Sequence, residues 1–238
     1  GVFAIAIATV ILPTLSGQRA RADDPAFAGT LAWAIRSVLL IAVPATLALA
    51  VLAQPLLATL FQYGAFSAED RAMAAASLRA YALGLGAFML VKVLAPGFYA
   101  REDMRAPVRV GIIAMVSNML LNVALVFPFM TIFNMGHVGL ALATSLSAWL
   151  NAGLLYRGLR RDAVLPEPSV PSKWLMQIGL ASAAMTLVLV WMLPGQAEWT
   201  TWAWWERAIQ LGMLCLTGLG VFAASLWLMG VRPADLRR

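Results

Sequence analysis

The stretch from Ala72 to Ala100 carries charge at Arg79 and Lys92 alone. A run so long and apolar is enough to cross a bilayer as a helix, which takes about 20 residues. Six further apolar runs share the chain: Gly1–Leu15, Ser37–Ala53, Val108–Phe129, Gly139–Tyr156, Trp174–Leu193 and Ala208–Met229. Inside lipid every backbone polar group needs an internal partner, so only helices and closed barrels span. All of these runs exceed the roughly 9–11 residues of a barrel strand. The expected fold is therefore all-α, a polytopic membrane protein of seven spans. Composition agrees: the 238 residues are 62% hydrophobic and 12% charged, with a mean hydropathy of +0.82. Soluble domains carry about 25% charged residues.

The net charge of +6 does not point to nucleic acid, because the basic residues lie in short loops between apolar runs. Arg19, Arg21 and Arg36 flank the first connection, and Arg101, Arg105 and Arg109 the third. Arg157, Arg160, Arg161 and Lys173 flank the fifth, and Arg232, Arg237 and Arg238 close the chain. The second, fourth and sixth connections hold only Arg71 and Arg207. The positive-inside rule places the odd connections and the C-terminus in the cytoplasm. The chain begins within an apolar run with no basic segment ahead of it, unlike a signal peptide. It reads as a helix entered partway along, and so as part of a longer protein.

The connections differ in character. Asp23-Asp24-Pro25 is a helix start, expected to open a helix that runs along the cytoplasmic surface before the second span. In Phe61–Asp70, Gly64 breaks the chain and Ser67 with Asp70 caps the next helix. Pro166, Pro168 and Pro171 stiffen the connection before the last two spans. This divides the chain into residues 1–160, a linker at 161–173, and 174–238. Trp199, Trp202, Trp204 and Trp205 crowd the last outer connection and read as an interfacial anchor. Catalysis finds no support. The only histidine, His137, sits in an outer connection, and the single Cys215 excludes an internal disulfide or a cysteine-rich metal site. There is no phosphate-binding loop for an ATP-driven pump.

Polar residues inside spans are costly and mark candidate sites. Lys92 lies nine residues before Arg101, about 13 Å at 1.5 Å per residue, near mid-membrane. Side chains lean toward the helix N-terminus, so Lys92 leans away from its nearer interface. A water-filled or substrate cavity accounts for it; snorkelling or an ion pair is the alternative. Pro96 cannot donate to the Lys92 carbonyl four residues earlier, and Gly97 follows, so the pair is a candidate hinge. Arg79, about 20 Å higher on the same helix, is an anchor or a second substrate-binding cation. Asn118 and Asn122 share a helix face, with Thr144 at similar depth on the neighbouring span. They serve interhelical hydrogen bonding or an ion site. Gly139, Ala143, Ser147 and Asn151 form a small-residue packing stripe.

GVFAIAIATVILPTLS, LFQYGAFSAED and KVLAPGFYAREDMRAPV resemble the lipid II flippases of the MurJ (MviN) family, along almost the whole chain. That family belongs to the multidrug and oligosaccharidyl-lipid exporters: fourteen spans, two six-helix lobes and two extra helices. The resemblance implies that the seven spans here are the second lobe of a two-lobe transporter plus the two extra C-terminal helices. It implies a multi-pass protein of the bacterial inner membrane, moving lipid II outward by alternating access. Lipid II is the undecaprenyl-linked peptidoglycan precursor. The implied partners are lipid II, membrane lipids and the N-terminal lobe of the same protein. Residues 174–229 would form a groove for the lipid tail, with small residues such as Gly179, Ala183 and Gly212. The family's best-known cavity arginines lie upstream of the position matching Gly1, which leaves Lys92 as the cavity cation here. Some members bind sodium through polar residues on the spans matching the fourth and fifth here, completed by a carboxylate from an earlier span, and Asn118, Asn122 and Thr144 fall at positions compatible with such a site. Asn122 stands where a carboxylate would hold a hard cation better. No other cofactor is implied; sodium or the membrane potential would supply the driving force. The competing readings are an exporter of another lipid-linked saccharide or a drug, and a membrane scaffold that moves nothing.

Overall fold

The computed structural model describes residues 2–64, 66–133, 135–165 and 170–231. Pro166, Pro168, Arg232, Arg237 and Arg238 lie outside the described residues. Eight helices follow in order: α1 (Val2–Ala20), α2 (Asp24–Phe61), α3 (Ala68–Tyr99), α4 (Arg105–Phe133), α5 (Gly136–Arg161), α6 (Ser172–Met192), α7 (Gln196–Thr201) and α8 (Trp204–Leu228). All but the short α7 are long and apolar enough to span a membrane. The described residues contain no strand.

The local signals explain most boundaries. The Asp23 carboxylate accepts from the Ala26 amide and starts α2, with Pro25 in the first turn, where a missing N–H costs nothing. Ser67 and Asp70 close a reciprocal capping box at the start of α3. Four helices end alike. At the ends of α1, α3, α5 and α8 the chain turns through a left-handed residue: Ala22, Glu102, Ala163 and Gly230. The amide of the next residue reaches back to Gln18, Phe98, Leu159 and Leu226 respectively, the Schellman arrangement that satisfies orphan helix carbonyls.

Three connections meet at one end. Arg101 of the α3–α4 turn pairs with Asp162 of the α5–α6 turn at 2.8 Å. Arg19 and Asp24 of the α1–α2 turn line the same cleft. These are the basic, odd-numbered connections. The α2–α3 turn and α7 meet at the opposite end, where Arg207 donates to the Ala58 carbonyl at 3.1 Å and lies over the Tyr63 ring.

α3 is central, packed on α1, α2 and α5. Its backbone accepts side chains from both flanks. The Thr46 hydroxyl donates to Ala82 O at 3.2 Å, the Ser145 hydroxyl to Ala80 O at 2.7 Å and the Trp149 indole to Leu83 O at 2.8 Å. Gly84 permits this approach, since a Cβ there would lie 2.9 Å from Ser145 Cα. α4 packs mainly on α5, and its other faces carry exposed Met119, Leu120, Val123 and Phe127. α6 and α8 pair and rest on α2 through one apolar cluster that includes Leu52, Met185, Leu189, Leu214 and Phe222.

Three expectations change. The segment after Asp23 is not a separate surface helix but the first part of one unbroken 38-residue α2. Between Pro25 and Pro44 nothing stops a helix, and Phe27, Leu31, Ala34, Ile35 and Val38 form a buried stripe against α1 and α3. The tryptophans divide: Trp199 is 2% exposed and tilted against Trp202 at 5.3 Å, whereas Trp204 and Trp205 are exposed. α7 turns Trp199 inward onto α2. His137 lies in the first turn of α5 rather than in a loop.

Candidate functional site

One cavity of about 430 Å³ joins residues that the sequence offered separately. α3 supplies Phe88, Val91 and Lys92; α4 supplies Gly111, Ala114, Met115 and Asn118; α5 supplies Thr144, Ser147, Ala148 and Asn151. On α4 and α5 the spacing is i, i+3, i+4, i+7, a single helical face. α3 and α4 barely touch each other, so the cavity is the gap they leave in front of α5.

Lys92 is exposed into this space. Among the described residues no carboxylate pairs with it; the ion pairs are Arg19–Asp24 and Arg101–Asp162, both at the loop end. Facing it is a polar chain. Asn122 Nδ2 donates to Asn118 Oδ1 at 3.1 Å, Asn118 Nδ2 donates to Ser147 Oγ at 3.2 Å, and Ser147 Oγ donates to the Thr144 carbonyl at 3.0 Å. The cavity thus offers one cation and several neutral hydrogen-bonding groups against apolar walls. The one charged side chain lining the cavity is a cation, which favours anionic over cationic groups there.

Asn118 and Asn122 are hydrogen-bonded to each other, and Thr144 stands across from Asn118 on α5. Asn118 Oδ1 accepts from Asn122 and the Thr144 hydroxyl donates to Leu140 O at 2.9 Å, and each oxygen keeps accepting capacity. Asn122 Oδ1 is buried without a protein partner. Hard cations favour carboxylates among their oxygen ligands, and the residues lining this cavity include none. No step below passes through sodium.

Arg79 is not brought to this cavity. Thirteen residues at about 100° each turn it some 220° from Lys92, onto the other side of α3. There its Nε donates to Ala50 O of α2 at 2.9 Å. Pro96 and Gly97 lie inside an unbroken α3. A Cβ on Gly97 would sit 3.2 Å from both Leu31 and Leu159, so its smallness serves close packing. Gly179 and Ala183 face outward. The apolar clefts lie elsewhere: about 260 Å³ between α2, α6 and α8, lined by Pro44, Met185, Leu189 and Phe222, and about 700 Å³ between α2, α3, α5 and α6, with Arg160 at its rim.

The sequence reading missed Ser147 and Asn151 as site residues by taking them for packing. Their signal was present. A polar stripe on α4 at Asn118 and Asn122 demands a polar stripe opposite, and Thr144, Ser147 and Asn151 recur at i, i+3, i+7. The buried Arg71 and Arg207, read as loop residues, were missed for lack of any sequence signal.

The family model described as "Lipid II flippase MurJ" matches residues 1–210. A Vibrio cholerae protein named "Probable lipid II flippase MurJ" is 46% identical over 237 residues, covering 100% of this chain and 44% of its own length. A Burkholderia cenocepacia protein named "Lipid II flippase MurJ" is 37% identical over 98% of this chain and 44% of its own. A solved structure, "Lipid II flippase MurJ, inward closed conformation", superposes with a TM-score of 0.73 at 24% identity, over 98% of this chain and 45% of that one, and so shares the fold. The chain spans a little under half the length of these relatives. Helix order, loop charge and sequence all place it in one group: this chain belongs to the lipid II flippase MurJ family.

Proposed function

We propose that this chain forms the second lobe, with the two additional helices, of a flippase that carries lipid II from the inner to the outer leaflet. The observation that supports this most is Lys92, an unpaired cation in a cavity walled by amides, hydroxyls and apolar side chains. The pyrophosphate of lipid II needs fixed positive charge along a low-dielectric path. Lys92 attracts it, while Asn118, Ser147 and Asn151 offer hydrogen bonds to the sugars. The N-terminal lobe of the same protein closes the open side of the cavity, and the two lobes rock about it. The apolar clefts along α2 against α6 and α8 take the undecaprenyl chain. The inside-negative membrane potential favours outward movement of an anion, by about 2.3 kcal/mol per charge per 100 mV.

The test uses the full-length protein in cells depleted of their own flippase, with lipid II in the outer leaflet as the readout. Restored outer-leaflet lipid II is expected. An exporter of another lipid-linked saccharide, or a scaffold, leaves lipid II in the inner leaflet at normal protein abundance.

The orientation rests on the loop charges. The odd connections and the C-terminus face the cytoplasm of a bacterial inner membrane. In a Cys215→Ala background, cysteines at Gly64 and Gln196 should react with an impermeant thiol reagent from outside, and one at Asp103 should not. Outside labelling at Asp103 reverses the topology. A matching cysteine at Glu167 lies outside the described residues.

A further inference from the structure

Opposite the Lys92 cavity, at the outer end of the molecule, lies a smaller, partly open space of about 50 Å³. α2 contributes Gln54, α3 contributes Arg71 and Arg79, and α7 contributes Trp199. Arg71 is only 6% exposed and Trp199 only 2%. Arg71 Nη1 donates to Gln62 Oε1. Its Nε, the Trp199 Nε1 and the Gln54 Oε1 are buried with no hydrogen-bond partner in the protein. A buried polar group without a partner is costly, and a buried charge more so.

We propose that this space is a binding site for a small inorganic anion of chloride size. Two guanidinium groups line it, and neither is in an ion pair among the described residues. Water could accept from Arg71 Nε and Trp199 Nε1, but it leaves the buried Arg71 charge uncompensated, with the exposed Arg79 adding positive potential at the rim. A halide accepts the same two hydrogen bonds and offsets the charge. Gln54 adapts by turning its side-chain amide, which presents N–H in place of oxygen without changing shape. Size sets the class. A cavity of about 50 Å³ takes a small ion, with a water or two beside it, and no phosphosugar. The ion also has a structural consequence: α2, α3 and α7 each contribute a wall, so it staples the α6–α8 pair to the lobe.

The experiment uses the full-length protein in detergent. Crystals soaked in bromide should show an anomalous peak between Arg71 and Trp199. The thermal unfolding midpoint should be higher in chloride than in gluconate at equal ionic strength, since a ligand bound only by the folded state stabilises it. Trp199→Phe keeps the ring against Trp202 but removes the N–H. It should raise the chloride concentration needed for stabilisation about tenfold, the scale of one hydrogen bond to a charge. Arg71→Met should remove the chloride dependence. Absence of the bromide peak, or equal midpoints in chloride and gluconate for the unaltered protein, overturns the proposal and assigns the space to water.

Discussion

Lys92→Met in the full-length protein should leave membrane abundance unchanged while lowering outer-leaflet lipid II by about thirtyfold. The figure comes from Coulomb's law. A unit charge about 8 Å away, at an effective dielectric near 20, is worth roughly 2 kcal/mol, or a factor of about 30. Met matches the length and apolar character of the lysine stem, so the apolar lining that includes Val91 and Met115 is preserved. Lys92→Arg keeps the charge and should retain most transport. The cavity is open enough for the larger head, because Lys92 is exposed within it. Outer-leaflet lipid II in flippase-depleted cells, with protein level measured in parallel, decides the matter. Normal transport by Lys92→Met at normal abundance would assign the residue to snorkelling and remove it from the site.

Gly139→Val should destabilise the protein by about 2–3 kcal/mol, within the range for overpacking a tight contact. A Cβ at Gly139 would lie 2.8 Å from Leu125 O and 3.0 Å from Val126 Cα. These are backbone atoms of α4, which cannot rotate aside, so the helices must separate. Ser147 lies two turns further along α5, about 12 Å away, and its hydrogen bond with Asn118 at 3.2 Å spans the same interface. Transport should therefore fall along with stability. Gly179→Ala is the contrasting case: nothing lies within 4 Å of that position, and alanine is the better helix former by up to about 1 kcal/mol. Chemical unfolding in detergent separates the two. Equal midpoints for Gly139→Val and Gly179→Ala would show that the α4–α5 approach is not tight.

The spans, their order and the clustering of basic loops were legible because they follow from one-dimensional quantities. Run length decides whether a segment crosses a bilayer, and the placement of Arg and Lys decides which connections share a side. The Ser67–Asp70 cap was legible for the same reason, its partners being three residues apart. Lys92, Asn118 and Thr144 stood out because polar side chains in apolar runs are costly wherever they point. Arg79 shows where such reading stops. Its sequence context resembles that of Lys92, yet helical rotation carries it to the opposite face of α3, against Ala50.

What the sequence by itself determined is the set of elements and the identity of the costly residues. Which of those residues meet was decided only by tertiary packing. Gly84 and Gly139 bring α3, α4 and α5 close enough for Ser145 and Ser147 to bond across interfaces, and the gap between α3 and α4 makes a cavity of Lys92 and Asn118. The burial of Arg71, Trp199 and Arg207 against α2 was likewise invisible in the chain. The Arg207 guanidinium finds its carbonyl at Ala58, 149 residues away in sequence. Local spacing cannot encode such a partner, because two distant segments become neighbours only when their apolar faces are buried together.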